Sequence, residues 1–413
     1  MTIATGIAKQ VRFQKEVTMN VAPVQTGGQL LRRTSSNLDL KKATYQSKEL
    51  RPDYQIADFR HGGRSADGTI SGELSVGTYG AFMATVLRQA WQAVVTTGPV
   101  ALLSIAPTTG LQGTITTTGT SFLTLGFKLG DVVRMTGWAT TGVTANARNF
   151  WITALTATVM TGQFLDGVTP VPTKIAGDNV TLVQAGKKTW ANAVAGTQTN
   201  DSYSIEHWFS DILLSELFTG CRVSDMDIKL PATGMATIDI GMMGTDMQRN
   251  LGGVGVAYFT TPAPVSTGGI LAAVNGALFM NGVQLGLVTG MDVKISASMT
   301  TGDVVAKNTR PDIFAGSMQI SGQLTVYLQD ATLRDLFVDE VECALRMAFT
   351  TSNAANADFI GITMDRIKVG GASKDDGEKG LIMTMPYTAL LNIYGGAGTS
   401  TQYTTLSIQD STT

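Results

Sequence analysis

The sequence predicts a mainly β chain in which a strand–helix–hairpin unit occurs twice and a small all-β domain interrupts the first copy. Three observations carry that reading: an internal repeat, strict apolar–polar alternation in the repeated strands, and a Thr-, Gly- and Val-rich stretch inside the first copy. Ile70-Ser71-Gly72-Glu73-Leu74-Ser75-Val76 returns 250 residues later as Ile320-Ser321-Gly322-Gln323-Leu324-Thr325-Val326. Upstream, Leu38-Asp39-Leu40-Lys41 is answered by Met291-Asp292-Val293-Lys294, and Arg51-Pro52-Asp53 by Arg310-Pro311-Asp312, in the same order. Ile320, Leu324, Val326 and Leu328 alternate with Gln319, Ser321, Gln323 and Thr325, the pattern of a sheet buried on one face only.

Each repeated strand is expected to lead into an amphipathic helix. Tyr79, Phe82, Met83, Val86, Leu87, Ala90, Trp91 and Val94 share one helical face in the first copy; Leu333, Leu336, Phe337, Val341, Ala344, Leu345 and Ala348 do so in the second. A hairpin follows: Met226–Leu230, a Pro231–Gly234 turn and Ile238–Met242, matched by Met364–Val369, a turn through Asp375, Asp376 and Gly377, and Leu381–Met385. Strand and hairpin lie 156 residues apart in the first copy (70 to 226) but 44 in the second (320 to 364), so the first holds 112 more. The β-like runs within Thr97–Ala195 make that excess a barrel or sandwich. The expected boundaries are an N-terminal arm (1–25), a discontinuous first domain (26–94 and 200–260), the insert (95–199) and a second domain (265–409).

The chain has 413 residues, 43% of them hydrophobic, which excludes disorder for its bulk. Thirty basic against 32 acidic residues leave a net charge of -2, without the basic excess needed for tight binding to nucleic acid or anionic membranes. Only 15% of residues are charged, so much of the surface is free to pack against protein. Cys221 and Cys343 cannot make a disulfide framework or a four-ligand zinc site and read as buried small residues in a reducing compartment. No stretch has the length and apolarity of a signal peptide or membrane span; the segment from Tyr79 to Val94 is interrupted by Arg88.

Catalytic chemistry has little material. The chain contains two histidines. His61, in Arg60-His61-Gly62-Gly63-Arg64, could meet an anion, but a solvated polar loop explains it better; His207, between Glu206 and Trp208, reads as a structural residue of a strand. Asp225 with Asp227 sits on the polar face of an alternating strand, and Asp375-Asp376-Gly377-Glu378 is a turn without the ligand spacing of an EF-hand. Gly252-Gly253-Val254-Gly255 and Gly370-Gly371-Ala372-Ser373-Lys374 match no phosphate-binding loop. No catalytic, cofactor or metal site is expected.

A polar N-terminal arm, a helix after an Ile-Ser-Gly-x-Leu strand, the Thr219-Gly220-Cys221-Arg222-Val223 turn with its hairpin, and a Gly130-Asp131-Val132-Val133-Arg134 β insertion together resemble tail tube proteins of long-tailed, siphovirus-like bacteriophages. The resemblance implies two tandem β-sandwich domains, each with one flanking α-helix, in a non-enzymatic virion protein assembled in the host bacterial cytoplasm. It further implies rings whose inner strands join into a barrel, stacked into a tube conducting double-stranded DNA without sequence-specific binding. A tape measure protein in the lumen and other tail proteins at the tube ends would be its partners, with no membrane. Six tube domains to a ring, two per chain, give a trimer with pseudo-sixfold symmetry. About four strands per domain give ~24 strands and a bore of roughly 35 Å, enough for duplex DNA.

By the same resemblance, the loop before the repeated strand reaches a neighbouring domain or ring. Its candidate contacts are Arg51, Asp53, Asp58, Arg60, His61, Arg64 and Asp67, with Arg310 and Asp312 in the second copy. A mobile surface loop is the bland alternative. The competing function is a phage adhesin or a baseplate or fibre protein whose β insert binds carbohydrate. Exposed clustering of Trp138, Trp151 and Trp190 would favour it, whereas at least two of them are expected in the core.

Overall fold

A computed structural model describes residues 3–101, 103–139, 145–167, 176–329, 331–375 and 380–413. The first part of the chain forms β1 (Lys9–Lys15), β2 (Gln29–Leu30), β3 (Ser35–Ser36), β4 (Asp39–Gln46), β5 (Phe59–Glu73) and α1 (Gly80–Val86). The insert follows as β6 (Thr96–Val100), β7 (Leu103–Pro107), β8 (Gln112–Thr117), α2 (Phe122–Leu125), β9 (Val132–Thr136), β10 (Phe150–Leu155), β11 (Val159–Phe164) and β12 (Val180–Gln184). The chain returns through β13 (Lys187–Trp190), β14 (Tyr203–Phe209), β15 (Leu214–Pro231), β16 (Thr237–Gly244) and β17 (Asp246–Arg249). The last part contains β18 (Gly276–Met280), β19 (Val283–Gln284), β20 (Val288–Ser296), β21 (Thr300–Thr301), β22 (Ile313–Phe314), β23 (Gln319–Tyr327) and α3 (Thr332–Val338). It ends with β24 (Cys343–Thr350), β25 (Phe359–Val369), β26 (Ser373–Lys374), β27 (Ile382–Ala389) and β28 (Ser407–Asp410). The fold is mainly β, as expected.

One long strand organises each half. The first part of β15 pairs with β14 and β17. From Arg222 it pairs with β16, through a bulge between Val223 and Asp225, and from Asp225 also with β20. In the second half, β25 pairs first with β24 and β28, then with β27. Each half therefore has an outer layer (β1, β14, start of β15, β17; β18, β24, start of β25, β28) and an inner layer. The inner layers run edge to edge as β4–β5–β16–β15–β20–β23–β27–β25, antiparallel throughout. Within the stretch assigned to an N-terminal arm, β1 pairs with β14 and buries Val11 and Phe13. One apolar core spans both halves, with Ile70, Ile228, Ile240, Val293, Ile320, Leu324 and Met385 among its buried members.

Register corrects the upstream alignment. Ser71 faces Ser35, and its repeat Ser321 faces Lys294, so β3 stands where the Lys294–Ile295 end of β20 stands. The Leu38–Lys41 match is displaced from that correspondence by six residues. Both expected helices are also shorter than their periodicity suggests. α1 ends at Val86, and Arg88 adopts a φ of 56°. Leu345 and Ala348, placed on a helical face by spacing, instead lie in β24, where pairing on both sides with β18 and β25 overrides local preference.

The glycine of the repeated Ile-Ser-Gly has a packing cause. In the first half the Tyr79 hydroxyl donates to the Arg32 carbonyl at 2.9 Å and lies against the bare Cα of Gly72; a Cβ there would overlap the phenol oxygen. In the second half the Tyr387 hydroxyl donates to the Asp292 carbonyl at 2.8 Å and lies over Gly322. The tyrosines come from different elements, yet each needs the same missing side chain. Burial pushes the Tyr79 hydroxyl up to about 12, so it stays protonated as a donor.

The insert forms a seven-stranded sheet, β6–β12–β9–β10–β11–β8–β7, around its own core of Phe122, Phe127, Phe150 and Trp138. It docks on the outer layer of the second half. Trp151 meets Phe279 edge-on at 4.9 Å, and the Gln409 side chain bonds Val132 and the Ala185 carbonyl. Lys128 reaches the carbonyls of Gly396 and Thr399, both at 2.6 Å. Cys221 and Cys343 are buried free thiols.

Gly72→Ala is expected to lower stability by about 1–3 kcal/mol through overpacking. Adding Tyr79→Phe, which removes the clashing oxygen, recovers part of that loss in chemical denaturation; a double variant no better than Gly72→Ala alone would refute the packing account.

Candidate assembly surface

Alternation gives the inner sheet two chemically opposite faces. Ile238 and Ile240 of β16 and Ile228 of β15 point into the core, so Asp239 and Asp227 between them point out. On the outward face Lys229 bridges Asp239 at 2.8 Å and Asp227 at 3.3 Å. The hydrogen bond to Asp239 holds the Lys229 ammonium above its usual value. Burial pushes Asp239 up, but the hydrogen bonds from Lys229 and Ser71 prevail and leave its carboxyl below the usual range. Asp292, across from Lys229 on β20, is raised by burial and then by the Asp227 charge. This face carries paired charges of both signs together with Ser321, Gln323, Thr384 and Thr388.

The loop residues separate into two groups. Arg51 pairs with Asp53 at 2.9 Å and Arg60 with Asp58 at 2.7 Å, all four well exposed beyond the β4–β5 hairpin's base. His61 is exposed there, its ring edge-on to Phe59 at 5.2 Å. Leu50, Tyr54 and Ile56 of the same tip are also largely exposed.

The second group pins the two halves together. Arg310 grips Asp67 at 2.9 Å and 3.4 Å and Arg222 reaches Asp312 at 3.1 Å, while within the first half Arg64 pairs with Asp246 at 2.6 Å. The Arg64 amide also donates to the Asn308 carbonyl at 2.7 Å. The β21–β22 arm of the second half thus leans on β5 of the first. Sequence reasoning missed Arg222 and Asp246; an Arg inside the apolar run Cys221–Val223 was the available signal.

His207 is buried in β14, with its Nε2 3.0 Å from the Ser36 Oγ of β3. Burial, with the nearby charges of Lys9 and Arg33, pushes it down to about 3. It links the outer layer to the first inner strand as a neutral ring. Trp138 and Trp151 are buried, as expected for at least two of the three tryptophans. Asp375 is exposed; Asp376, Gly377 and Glu378 lie outside the described residues. Among the described residues no group of three or more His, Cys, Asp or Glu could hold a metal, and no helix is long and apolar enough to cross a membrane.

Two edges of the inner sheet stand open. Among the described strands β3 and β4 pair only with β5, and β25 beyond Ile367 pairs only with β27. A sheet with open edges and an uncovered polar face is built to be completed by other protein. The sequence matches the family model described as phage tail tube protein over residues 6–393. The chain belongs to the phage tail tube protein family. Membership makes it a structural component of the virion tail, part of a multimeric tube. No curated protein matches the sequence.

Two outcomes follow. Because the folded pKa of His207 is depressed, the unfolded chain binds the extra proton between pH 6.5 and about 3, and stability falls as pH drops through that window. His207→Gln is expected to flatten the fall between pH 6.5 and 4 in thermal melts; an unchanged slope would remove His207 as its source. Arg310→Ala is expected to speed protease cleavage within 302–309 several-fold while costing about 1 kcal/mol or less of global stability. Unchanged cleavage would mean the pair does not hold the arm.

Proposed function

We propose that the chain builds the tail tube of a long-tailed, siphovirus-like phage from rings of three copies, each contributing two duplicated tube domains. The single observation carrying this reading is the unbroken inner sheet, to which each half gives four strands in the same order. Three such sheets joined at their open edges make a closed wall of ~24 strands with a bore of roughly 35 Å. Its lining would be the polar face, where Lys229 sits between Asp227 and Asp239 and the trio keeps an acidic balance. A lining without a basic excess lets double-stranded DNA slide, since each phosphate neutralised by Lys or Arg would hold it.

The exposed tip with Leu50, Tyr54 and Ile56, and its charged residues Arg51, Asp53, Asp58, Arg60 and His61, would contact the neighbouring ring, while Arg64, Asp67, Arg310 and Asp312 serve the joint inside one chain. The tape measure protein would fill the lumen before DNA, other tail proteins would close the ends, and assembly would take place in the host cytoplasm. The insert, docked on the outer layer, would decorate the exterior. The carbohydrate-binding alternative loses its expected sign with Trp138 and Trp151 buried.

Electron microscopy of the purified chain, alone and seeded with tail-tip complexes, tests this. Hollow tubes with threefold rings are expected; compact monomers under both conditions, or a sixfold ring of six chains, would contradict it.

A further inference from the structure

The chain contains its own template for ring closure. β15 of the first half and β20 of the second meet edge to edge, with Asp227 facing Lys294, Lys229 facing Asp292 and Met226 facing Ile295. The open edges, β25 and β3, occupy the same places in the repeated order as β15 and β20. Resting on the tube reading, the geometry points to a second copy of this chain as the occupant of the β25 edge, bound through its β3 in the register of the internal β15–β20 junction.

The register follows from ladders already described. Met226 faces Ile240, which faces Ile70; Ile367 faces Ala389, which faces Ile320, the repeat of Ile70. Met226 therefore maps onto Ile367, and Asp227 onto Lys368. On the other side Lys294 faces Ser321 and Ser35 faces Ser71, so Lys294 maps onto Ser35. Carrying the Asp227–Lys294 pair across places Lys368 of one copy opposite Ser35 of the next. Val369 then faces Thr34, and Gly370 faces Arg33.

The position of Cys343 sets where the new ladder starts. Cys343 faces Ile367, so the first free position on the β25 edge is Lys368. Burial matches too: Val369 faces the core and Lys368 the polar side, as Ile228 and Asp227 do. A shift by one residue would invert that alternation.

Disulfide trapping in assembled tubes tests the register. Ser35→Cys combined with Lys368→Cys is expected to give reductant-sensitive dimers and trimers after mild oxidation. Asp227→Cys with Lys294→Cys, the template pair, is expected to cross-link within one chain and give no ladder. Asn37→Cys with Lys368→Cys, shifted by two, should ladder at least several-fold less. Tubes in which the shifted pair ladders best, or in which neither pair does, would overturn the register and leave the tube reading intact. If the variants fail to assemble, a cryo-electron map of tubes from the unaltered chain reads the strand pairing directly: Lys368 opposite Ser35 supports the inference, and any other partner overturns it. Absence of tubes from the unaltered chain would instead defeat the tube reading, and this inference with it.

Discussion

The structure depends on the pairing of β15 with β20. It turns two short inner layers into one sheet, sets the faces of both halves in common alternation, and among the described strands leaves that sheet's open edges at its far ends. Ile70, Leu74 and Ile240 are buried on the core side, whereas the side chains of Asp227, Lys229 and Asp239 on the other face keep part of their surface exposed. An apolar face needs cover and a polar face does not, which is the asymmetry a hollow wall requires.

Open edges are hazards unless wrong partners are discouraged. At the β25 edge Lys368 is held by Glu340 at 2.9 Å and Arg366 by Glu342 at 2.6 Å, so charges stand where an apolar strand would otherwise add. At the opposite edge β4 carries the charges of Asp39, Lys41 and Lys42. The insert is tied to β13 by the buried Asp131–Lys188 pair at 2.5 Å and to the outer layer of the second half by the Gln409 contacts.

Much of the β class was legible because alternation is written in residue type. The Ile-Ser-Gly strands and the Met226–Met242 hairpin could be placed from pattern alone. What failed were distances along loops and competition between periods. Leu38–Lys41 resembles Met291–Lys294, yet the ladders place Ser35 in the position of Lys294. The apolar spacing of Leu333–Ala348 fits a helix, but a residue that can pair on both sides, as Leu345 does, goes into a sheet. The loop contacts were half visible: Asp67 and Arg310 were named, but their mutual pairing joins the halves of one chain, and nothing in the sequence shows which charge meets which. His207 was rightly read as structural, whereas its bond to Ser36 depends on a layer contact between distant segments.

The central claim is that β20 is paired along both edges inside a single chain. Residue-resolved amide hydrogen exchange on the unassembled chain tests it most directly. Successive amides from Met291 to Ile295 point alternately toward β15 and β23, and the account predicts slow exchange for all of them. Fast exchange at every second amide, with slow exchange between, would mean that β20 meets only β23 and that the two halves do not share a sheet.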